Sequence, residues 1–365
     1  MKTPPDPFSP VQDMPTPIRR RVLLIAASAL FAVALAELVL RAAFDYHGIS
    51  DPQIFRHDPE LGWTLQPNAH AWQSQLDFGI TIDTDALGLR TQSGLVATRE
   101  NRPPSKNVAM LGDSFAFGWG VDGGEMFSSA LERELAGRPE KYSVHTLGVP
   151  GYSTDQEYLL WRRLSPQLRV DQVVLLFHES DLPGNVQDSV VMGRFRYWKP
   201  RFDLAGGRGD TGTGVGTIAA RLQSPLAVPD KQEIAPGLFD SLKRPFGPLA
   251  TYALAQTGFR TLFPIPDQPA GGLRSTPVTD ALLAALDDGI RAKGASLLVA
   301  LIPADAATTR IVKTICDAHR IAFLDLEPAF RGQSGVDLRY DGHWNARGHL
   351  LAARAVAPSI GRQIP

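Results

Sequence analysis

The distribution of apolar residues divides the chain into an N-terminal apolar run and a long alternating region. From residue 107 onward, short apolar runs typical of buried strands alternate with segments whose apolar residues recur at helical spacing. The predicted strands are 107–111, 142–147, 172–178, 296–302 and 321–326, and the predicted helices are 124–136, 154–164, 276–294, 307–319 and 345–357. This alternation predicts an α/β fold with about five parallel strands covered by helices on both faces.

The N-terminal apolar run predicts a membrane anchor. Residues 1–21 are rich in proline, end in three arginines and predict a disordered cytoplasmic tail. Val22–Phe44 is 23 residues long, enough to cross a bilayer, and its charged residues Glu37 and Arg41 are spaced to pair on one helix face. The arginines place the tail in the cytoplasm, so that the rest of the chain is translocated.

Two alternatives to an anchor remain open from the sequence. Ala34-Leu35-Ala36 fits the cleavage pattern of a signal peptide, and a buried helix of a soluble protein has a similar composition. The apolar run resumes at once in Leu38-Val39-Leu40, with no polar stretch before the cleavage position. This continuity favours an uncleaved anchor.

Two further regions do not follow the alternation. Residues 45–105 contain short strand-like pieces at Leu61–Thr64, Gly79–Ile82 and Leu87–Arg90 and predict a juxtamembrane segment with short strands. Residues 194–275 are rich in glycine and proline and predict an insertion or cap within a domain spanning 106–361. Its glycine-rich stretch 206–216 is not a phosphate-binding loop, because no strand leads into it and no helix follows it.

Composition narrows the class of protein. The chain has 365 residues, of which 44% are hydrophobic and 21% charged, values typical of a globular protein. A net charge of −1 gives no basic field, so no nucleic-acid partner is expected. The only cysteine, Cys316, excludes an intramolecular disulfide and a cysteine-cluster metal site, and its helical surroundings predict a buried apolar filler.

Two short motifs, far apart along the chain, hold the groups that activate a hydroxyl nucleophile. Gly112-Asp113-Ser114-Phe115 follows a predicted strand, and Asp341-Gly342-His343-Trp344-Asn345 precedes the last predicted helix. Either motif alone is consistent with a helix cap or a turn. Together they offer Ser114 as nucleophile, His343 as base and Asp341 as the group that orients the histidine.

Two more segments after predicted strands complete the set of chemical candidates. Gly148, within Thr146–Thr154, has a backbone N–H that a substrate oxygen can approach closely. Ser180 lies in Phe177–Leu182, just past the third predicted strand. The adjacent His178 and Glu179 are not expected to share a metal, since neighbouring strand residues point to opposite faces.

Four blocks in this order resemble the SGNH (GDSL-type) hydrolase family, in particular its bacterial membrane-anchored members. The blocks are 112–115, 147–151, the segment around Ser180-Asp181, and 341–345. The resemblance implies a three-layer, flavodoxin-like fold with Ser114 as nucleophile and His343 and Asp341 as its partners. It also implies oxyanion donors at Ser114, Gly148 and Ser180, and neither a metal nor another cofactor.

The third block departs from the family pattern. The family has an asparagine as oxyanion donor where this chain has Ser180. Losing one such donor costs about 10²–10³ in rate. Three outcomes follow: Ser180 substitutes, another donor such as Asn185 turns into the site, or activity is weak. The Asp-x-His spacing of 341–343 is also less common in the family than Asp-x-x-His and resembles that of polysaccharide O-acetyltransferases.

The resemblance and the anchor together predict a serine esterase in the bacterial inner membrane. It spans the membrane once, with its catalytic domain in the periplasm or outside the cell. It removes acyl groups, most readily acetyl, from an extracytoplasmic glycan or a small ester. An O-acyltransferase with the same acyl-enzyme and a non-catalytic glycan-binding or assembly protein are the alternatives. The oligomeric state is left open.

Overall fold

The computed structural model describes residues 18–44, 54–75, 78–91, 106–193, 195–202, 227–234, 276–339 and 341–362. The strands are β1 Phe55–Asp58, β2 Gly62–Leu65, β3 His70–Ser74, β4 Gly79–Asp83, β5 Lys106–Gly112, β6 Tyr142–Gly148, β7 Gln172–Phe177, β8 Ser189–Met192, β9 Phe195–Trp198, β10 Gln232–Glu233, β11 Ser296–Leu301 and β12 Ala322–Asp325. The helices are α1 Ile18–Phe44, α2 Ser114–Phe117, α3 Phe127–Leu135, α4 Thr154–Leu164, α5 Asp181–Gly184, α6 Thr276–Arg291, α7 Ala306–His319, α8 Glu327–Phe330 and α9 Ala346–Val356.

Five parallel strands form the central sheet, in the order β12-β11-β7-β5-β6. Residues of β5 alternate between two hydrophobic cores: Ala109 and Leu111 face one, and Val108 and Met110 face the other. Helices α4, α6 and α7 cover the first core, and α3 and α9 cover the second. The predicted α/β fold with about five parallel strands is confirmed.

The predicted elements agree closely with the observed ones. Helix α4 has the predicted bounds, and α7, which holds the buried Cys316, begins one residue earlier than predicted. Helix α6 ends at Arg291 rather than at 294, because Gly294, at φ +77°, turns the chain towards β11. The four-residue helices α2, α5 and α8 were not predicted, since one turn is too short to show helical periodicity.

Helix α1 is long and apolar enough to cross a membrane. Within its segment Arg20–Ala42, a window of 18 residues has a mean hydropathy of 2.5, and none of this window is buried against the described chain. This exposure disagrees with a core helix of a soluble protein. Arg41 donates to Glu37 at 2.8 Å, so the two charges neutralise each other on one face as predicted. The predicted tail lies almost wholly outside the described residues.

Residues 54–91 form a β-module that packs onto the central domain. Two antiparallel hairpins, β1–β2 and β3–β4, make up its strands. Leu61, Trp63 and Ile82 of this module belong to the same hydrophobic core as the central sheet. Within 87–90, predicted as strand, Gly88 at φ +76° makes a turn instead. This part of the predicted juxtamembrane segment is therefore integral to the domain.

An ion pair ties the β-module to α4. Arg163 donates to both carboxylate oxygens of Asp58, at 2.5 and 2.9 Å, and Asp58 also accepts the N–H groups of Glu60 and Leu61. Burial raises the pKa of Asp58, but the hydrogen bonds from Arg163 and from these N–H groups outweigh it and bring the pKa to about 2, from an ordinary 3.8.

We expect Asp58→Asn to lower the free energy of unfolding by about 1–2 kcal/mol at pH 7, a value reduced by solvent screening of the partly exposed Arg163. Because the pKa of Asp58 is depressed, its contribution is present above pH 4 and is lost as the pH falls from about 4 to about 2. Urea unfolding of both proteins at pH 7, 4 and 2 measures the difference, which should fall to a few tenths of a kcal/mol at pH 2, where about half of the native Asp58 is protonated.

The exposed pair of Lys313 and Asp317, 2.8 Å apart, is the control for this prediction. Asp317→Asn should change the free energy of unfolding by a few tenths of a kcal/mol at most. A gap between wild type and Asp58→Asn that stayed constant with pH would show that the charge of Asp58 is not what stabilises the contact.

The predicted insertion is described only in part. Residues 195–202 and 227–234 contribute β9 and β10 to a three-stranded antiparallel sheet with β8, in the order β10-β9-β8. The glycine-rich stretch 206–216 lies outside the described residues. The described part of the insertion adjoins the cavity described below, since Lys199 lines it.

Candidate active site

Ser114 is the first residue of α2, which sits directly on the C-terminal ends of β5 and β6. Asp113 is the N-cap of this helix, and its side chain accepts the N–H of Phe115. Gly112 and Gly148 are paired at the two strand ends. A Cβ atom on either glycine would lie 2.8 Å from the Cβ of Ala116 in α2. The absence of side chains at both positions therefore lets the helix lie against the sheet.

The structure brings Ser114, His343 and Asp341 together. Ser114 Oγ lies 2.7 Å from His343 Nε2, and His343 Nδ1 is hydrogen-bonded to Asp341 Oδ1. Trp119 Nε1–H donates to the other oxygen, Asp341 Oδ2, at 3.1 Å. This arrangement leaves Nε2 unprotonated and able to accept the serine proton.

The carboxyl group of Asp341 is held in its charged form. Burial alone raises the pKa of Asp341, but hydrogen bonds from His343 and Trp119 outweigh it, so the pKa lies below its ordinary value. A charged Asp341 can stabilise the positive charge that His343 gains when it takes a proton. The contact between Trp119 and Asp341 could not be predicted from the sequence, because the two residues lie 222 positions apart and no shared motif links them.

A cavity of about 370 Å³ opens at these residues. It is lined by Asp113, Ser114, Phe115, Gly151, Tyr152, Ser153, His178, Ser180, Gly184, Gln187, Val190, Lys199, Asp341, Gly342 and His343. It therefore includes Ser114, His343 and Asp341 together with residues from the β8–β9 region. Its size is in the range of small-molecule sites.

Gly148, the predicted oxyanion donor, does not line this cavity. A Cβ atom at Gly148 would lie 2.2 Å from the backbone nitrogen of Phe117, so the residue faces the underside of α2. Gly151, three residues later, does line the cavity, and its φ of +82° is in the left-handed region. The geometry thus favours the N–H of Gly151 over that of Gly148 as an oxyanion donor. The N–H of Ser114 is a second candidate donor, because the first residue of a helix has no intrahelical acceptor for it.

Ser180 and Asn185, the other two predicted donors, take different positions. Ser180 lines the cavity, and its Oγ lies 2.7 Å from His178 Nδ1. Asn185 is fully buried: its Oδ1 accepts the N–H of Asp155, and its Nδ2 donates to Thr279. Asn185 is therefore committed to the fold and does not replace the missing asparagine of the third block.

Residues of the β-module support both walls of the site. Arg90 is buried and donates to the carbonyls of Phe117, Gly118 and Val121, which flank Trp119. Trp63 Nε1–H donates to the carbonyl of Pro150, next to Gly151, at 3.1 Å. Neither role is evident from the sequence.

A buried group of acidic residues lies beside the cavity. Lys199 Nζ pairs with Asp155 at 2.9 Å and donates to the carbonyl of Gly184 at 2.8 Å. Burial raises the pKa of Glu157, and the nearby carboxyls of Asp181 and Asp113 raise it further. Lys199 comes from the predicted insertion and thus connects that segment to the domain under the site.

Comparison with known proteins gives similarity in structure alone. Neither a family model nor a curated protein sequence matches the chain.

Similar solved structures include a G-D-S-L family protein from Desulfitobacterium hafniense DCB-2, at 10% identity and TM-score 0.38 over 70% of this chain and 100% of its own. The esterase EstA from Pseudoalteromonas sp. has 11% identity and TM-score 0.39, over 70% of this chain and 97% of its own. An acetyl xylan esterase, AlAXEase, has 12% identity and TM-score 0.37, over 70% and 99%. The chain is thus similar to these solved structures at 10–12% identity, and membership of the SGNH (GDSL-type) hydrolase family stays the prediction of its four sequence blocks.

Proposed function

We propose that this protein is a serine esterase that removes ester-linked acyl groups, most readily acetyl, from an extracytoplasmic glycan. The observation that carries the proposal is the 2.7 Å contact between Ser114 Oγ and His343 Nε2. His343 is oriented by Asp341, and all three residues line one open cavity. A serine used only as a helix cap has no need of this histidine–carboxylate pair.

The reaction proceeds through an acyl-enzyme. Ser114 Oγ attacks the ester carbonyl carbon while His343 Nε2 takes the hydroxyl proton, and the carbonyl electron pair moves to oxygen. The N–H groups of Ser114 and Gly151 stabilise this oxyanion. Collapse expels the alcohol, which receives the proton from His343. Water then attacks the acyl-enzyme, with His343 again as base, and releases the acid.

The polar side chains of the cavity support a hydroxyl-rich alcohol as part of the substrate. Phe115 and Val190 add apolar surface, against which the acyl group can lie. Ser153 and Gln187 present groups able to hydrogen-bond hydroxyls. A glycan outside the cytoplasm fits these groups and the orientation inferred for α1, with the arginines of the tail facing the cytoplasm.

The test uses the full-length chain in detergent with p-nitrophenyl acetate. Release of nitrophenol and the intact protein mass are followed together, with Ser114→Ala in parallel. Steady release by wild type and none above background by the variant is the expected result. Steady release that persists in Ser114→Ala would rule out the mechanism. The mass also shows whether the chain keeps residues 1–36, as an uncleaved anchor requires.

The same measurement separates the alternatives. A single burst with a stable gain of one acetyl group on Ser114, discharged only when a sugar acceptor is added, would identify an O-acyltransferase. Absence of both release and mass gain, repeated with butyrate and octanoate esters, would favour a non-catalytic binding or assembly protein.

A further inference from the structure

His178 lies beside the nucleophile although it belongs to none of the catalytic roles assigned above. Its ring stacks on that of Phe115, with centroids 5.2 Å apart and planes 29° apart. The same Phe115 ring lies 4.9 Å from the ring of His343. His178 also lines the cavity together with Ser114. Two histidines therefore flank the residue that follows the nucleophile.

Electrostatics place His178 in the same neighbourhood. The carboxyl group of Asp113, the residue before Ser114, is buried, and burial raises its pKa. In their protonated forms, His178 and His343 both oppose this rise, and His178 has the larger effect of the two. The imidazole of His178 is thus within Coulombic reach of the chain segment that carries Ser114.

The hydrogen bonds of His178 favour one tautomer. Ser180 Oγ lies 2.7 Å from Nδ1, and the N–H of Ser180 donates to the same nitrogen at 3.4 Å. A nitrogen that accepts the backbone N–H carries no proton, so the Ser180 hydroxyl donates to it and the ring proton resides on Nε2. Among the described residues, Nε2–H has no acceptor. The hydroxyl proton of Ser180, in turn, is engaged and not directed to a substrate.

We propose that His178 is a catalytic residue whose Nε2–H donates to the oxyanion, in place of the asparagine amide that the third block of the family supplies. Ser180 is then a positioning residue, which holds the imidazole in the tautomer that can donate. The inference rests on the proposed esterase function. It explains how an oxyanion donor is supplied although the usual asparagine is absent. The donor lies two residues earlier in the chain, directly after β7.

The substitutions separate hydrogen bonding from packing. His178→Phe keeps a ring against Phe115 but removes the donor, whereas His178→Gln has an amide N–H near the position of Nε2. We expect His178→Phe to lower kcat about 10²–10³-fold, with KM changed less than threefold, and His178→Gln to stay within about tenfold of wild type. Ser180→Ala should lower kcat about threefold to tenfold, because the donating tautomer is no longer enforced.

A rescue variant gives the sharpest outcome. Ser180→Asn, introduced into the His178→Phe protein, restores the family's usual donor and should recover at least tenfold in kcat. His319→Phe, which alters a histidine paired with Asp280 on α6, is the control and should retain wild-type kcat. Thermal unfolding of each variant identifies any that fail to fold, and the folded members of the set decide the question.

The two proposals fail in different ways. If wild type turns over the ester through Ser114 and His178→Phe keeps kcat within threefold, only the role of His178 is overturned. A His178→Gln protein as impaired as His178→Phe, without rescue by Ser180→Asn, would assign His178 to packing and overturn its role as a donor. If wild type shows no Ser114-dependent turnover and no labelling of Ser114 by a phosphonate ester, the esterase function fails and the role of His178 fails with it.

Discussion

The double variant Ser114→Ala/His343→Ala is expected to have the same residual activity as either single variant, each lowering kcat about 10⁴-fold or more. Ser114 Oγ and His343 Nε2 share one proton across 2.7 Å, so removing either atom removes the same nucleophile. Groups that act as one unit are strongly non-additive, because the first loss leaves nothing for the second to remove. Initial rates with p-nitrophenyl acetate at high enzyme concentration measure all three proteins.

His319→Ala is the matched control for this cycle. His319 Nε2 is bonded to Asp280 Oδ1 at 2.5 Å, so it is also a histidine held by a carboxylate, but it does not line the cavity. Its loss should leave kcat within twofold of wild type. Were the double variant to lose the product of the two single effects, Ser114 and His343 would act independently and the triad interpretation would be wrong.

The candidate residues that the structure brings together lie largely where the topology of a parallel sheet places them. Ser114 follows β5 directly, and Ser180 follows β7, its neighbour in the sheet. The C-terminal ends of parallel strands meet at one edge, so residues distant along the chain converge there. His343 and Asp341 follow no strand directly, yet they reach Ser114 from the loop before α9. For these two, the motif was more informative than the topology.

The structure differs from the sequence-based expectation in which of several similar residues faces the cavity. Gly148 and Gly151 lie three residues apart in one motif, and both suit a close backbone approach. Only the position of α2 shows that Gly148 is covered and that Gly151 is at the cavity wall. For His178 the sequence excludes a metal site and predicts no other role, because its contact with Ser180 depends on a turn after β7 that periodicity does not predict.

The hydrogen bonds from the β-module to the loops around the cavity could not be predicted from the sequence, for a different reason. Trp63 and Arg90 stabilise loops through backbone carbonyls of Pro150, Phe117 and Gly118. Every residue has a backbone carbonyl, so the sequence of a loop does not indicate which of its carbonyls accepts a hydrogen bond. Side-chain to backbone contacts across long sequence separations therefore require the folded structure to be found.

Gly148→Ala is expected to lower the free energy of unfolding by about 3 kcal/mol or more and to abolish esterase activity. The new Cβ atom would lie 2.2 Å from the nitrogen of Phe117 and 2.5 Å from the carbonyl carbon of Ala116. Both are backbone atoms of α2, so relief requires the helix that begins with Ser114 to move off the sheet. Urea unfolding and turnover of p-nitrophenyl acetate measure the two effects.

Gly137→Ala is the control, because a Cβ atom there meets nothing within 4 Å. This variant should be as stable as wild type, or up to about 1 kcal/mol more stable, since alanine restricts the unfolded chain. The comparison also settles the role of Gly148. A Gly148→Ala protein with wild-type stability but a loss of 10²–10³ in kcat would return Gly148 to the oxyanion site. Loss of stability together with activity places it beneath α2, where its missing side chain lets the nucleophile helix rest on two strands.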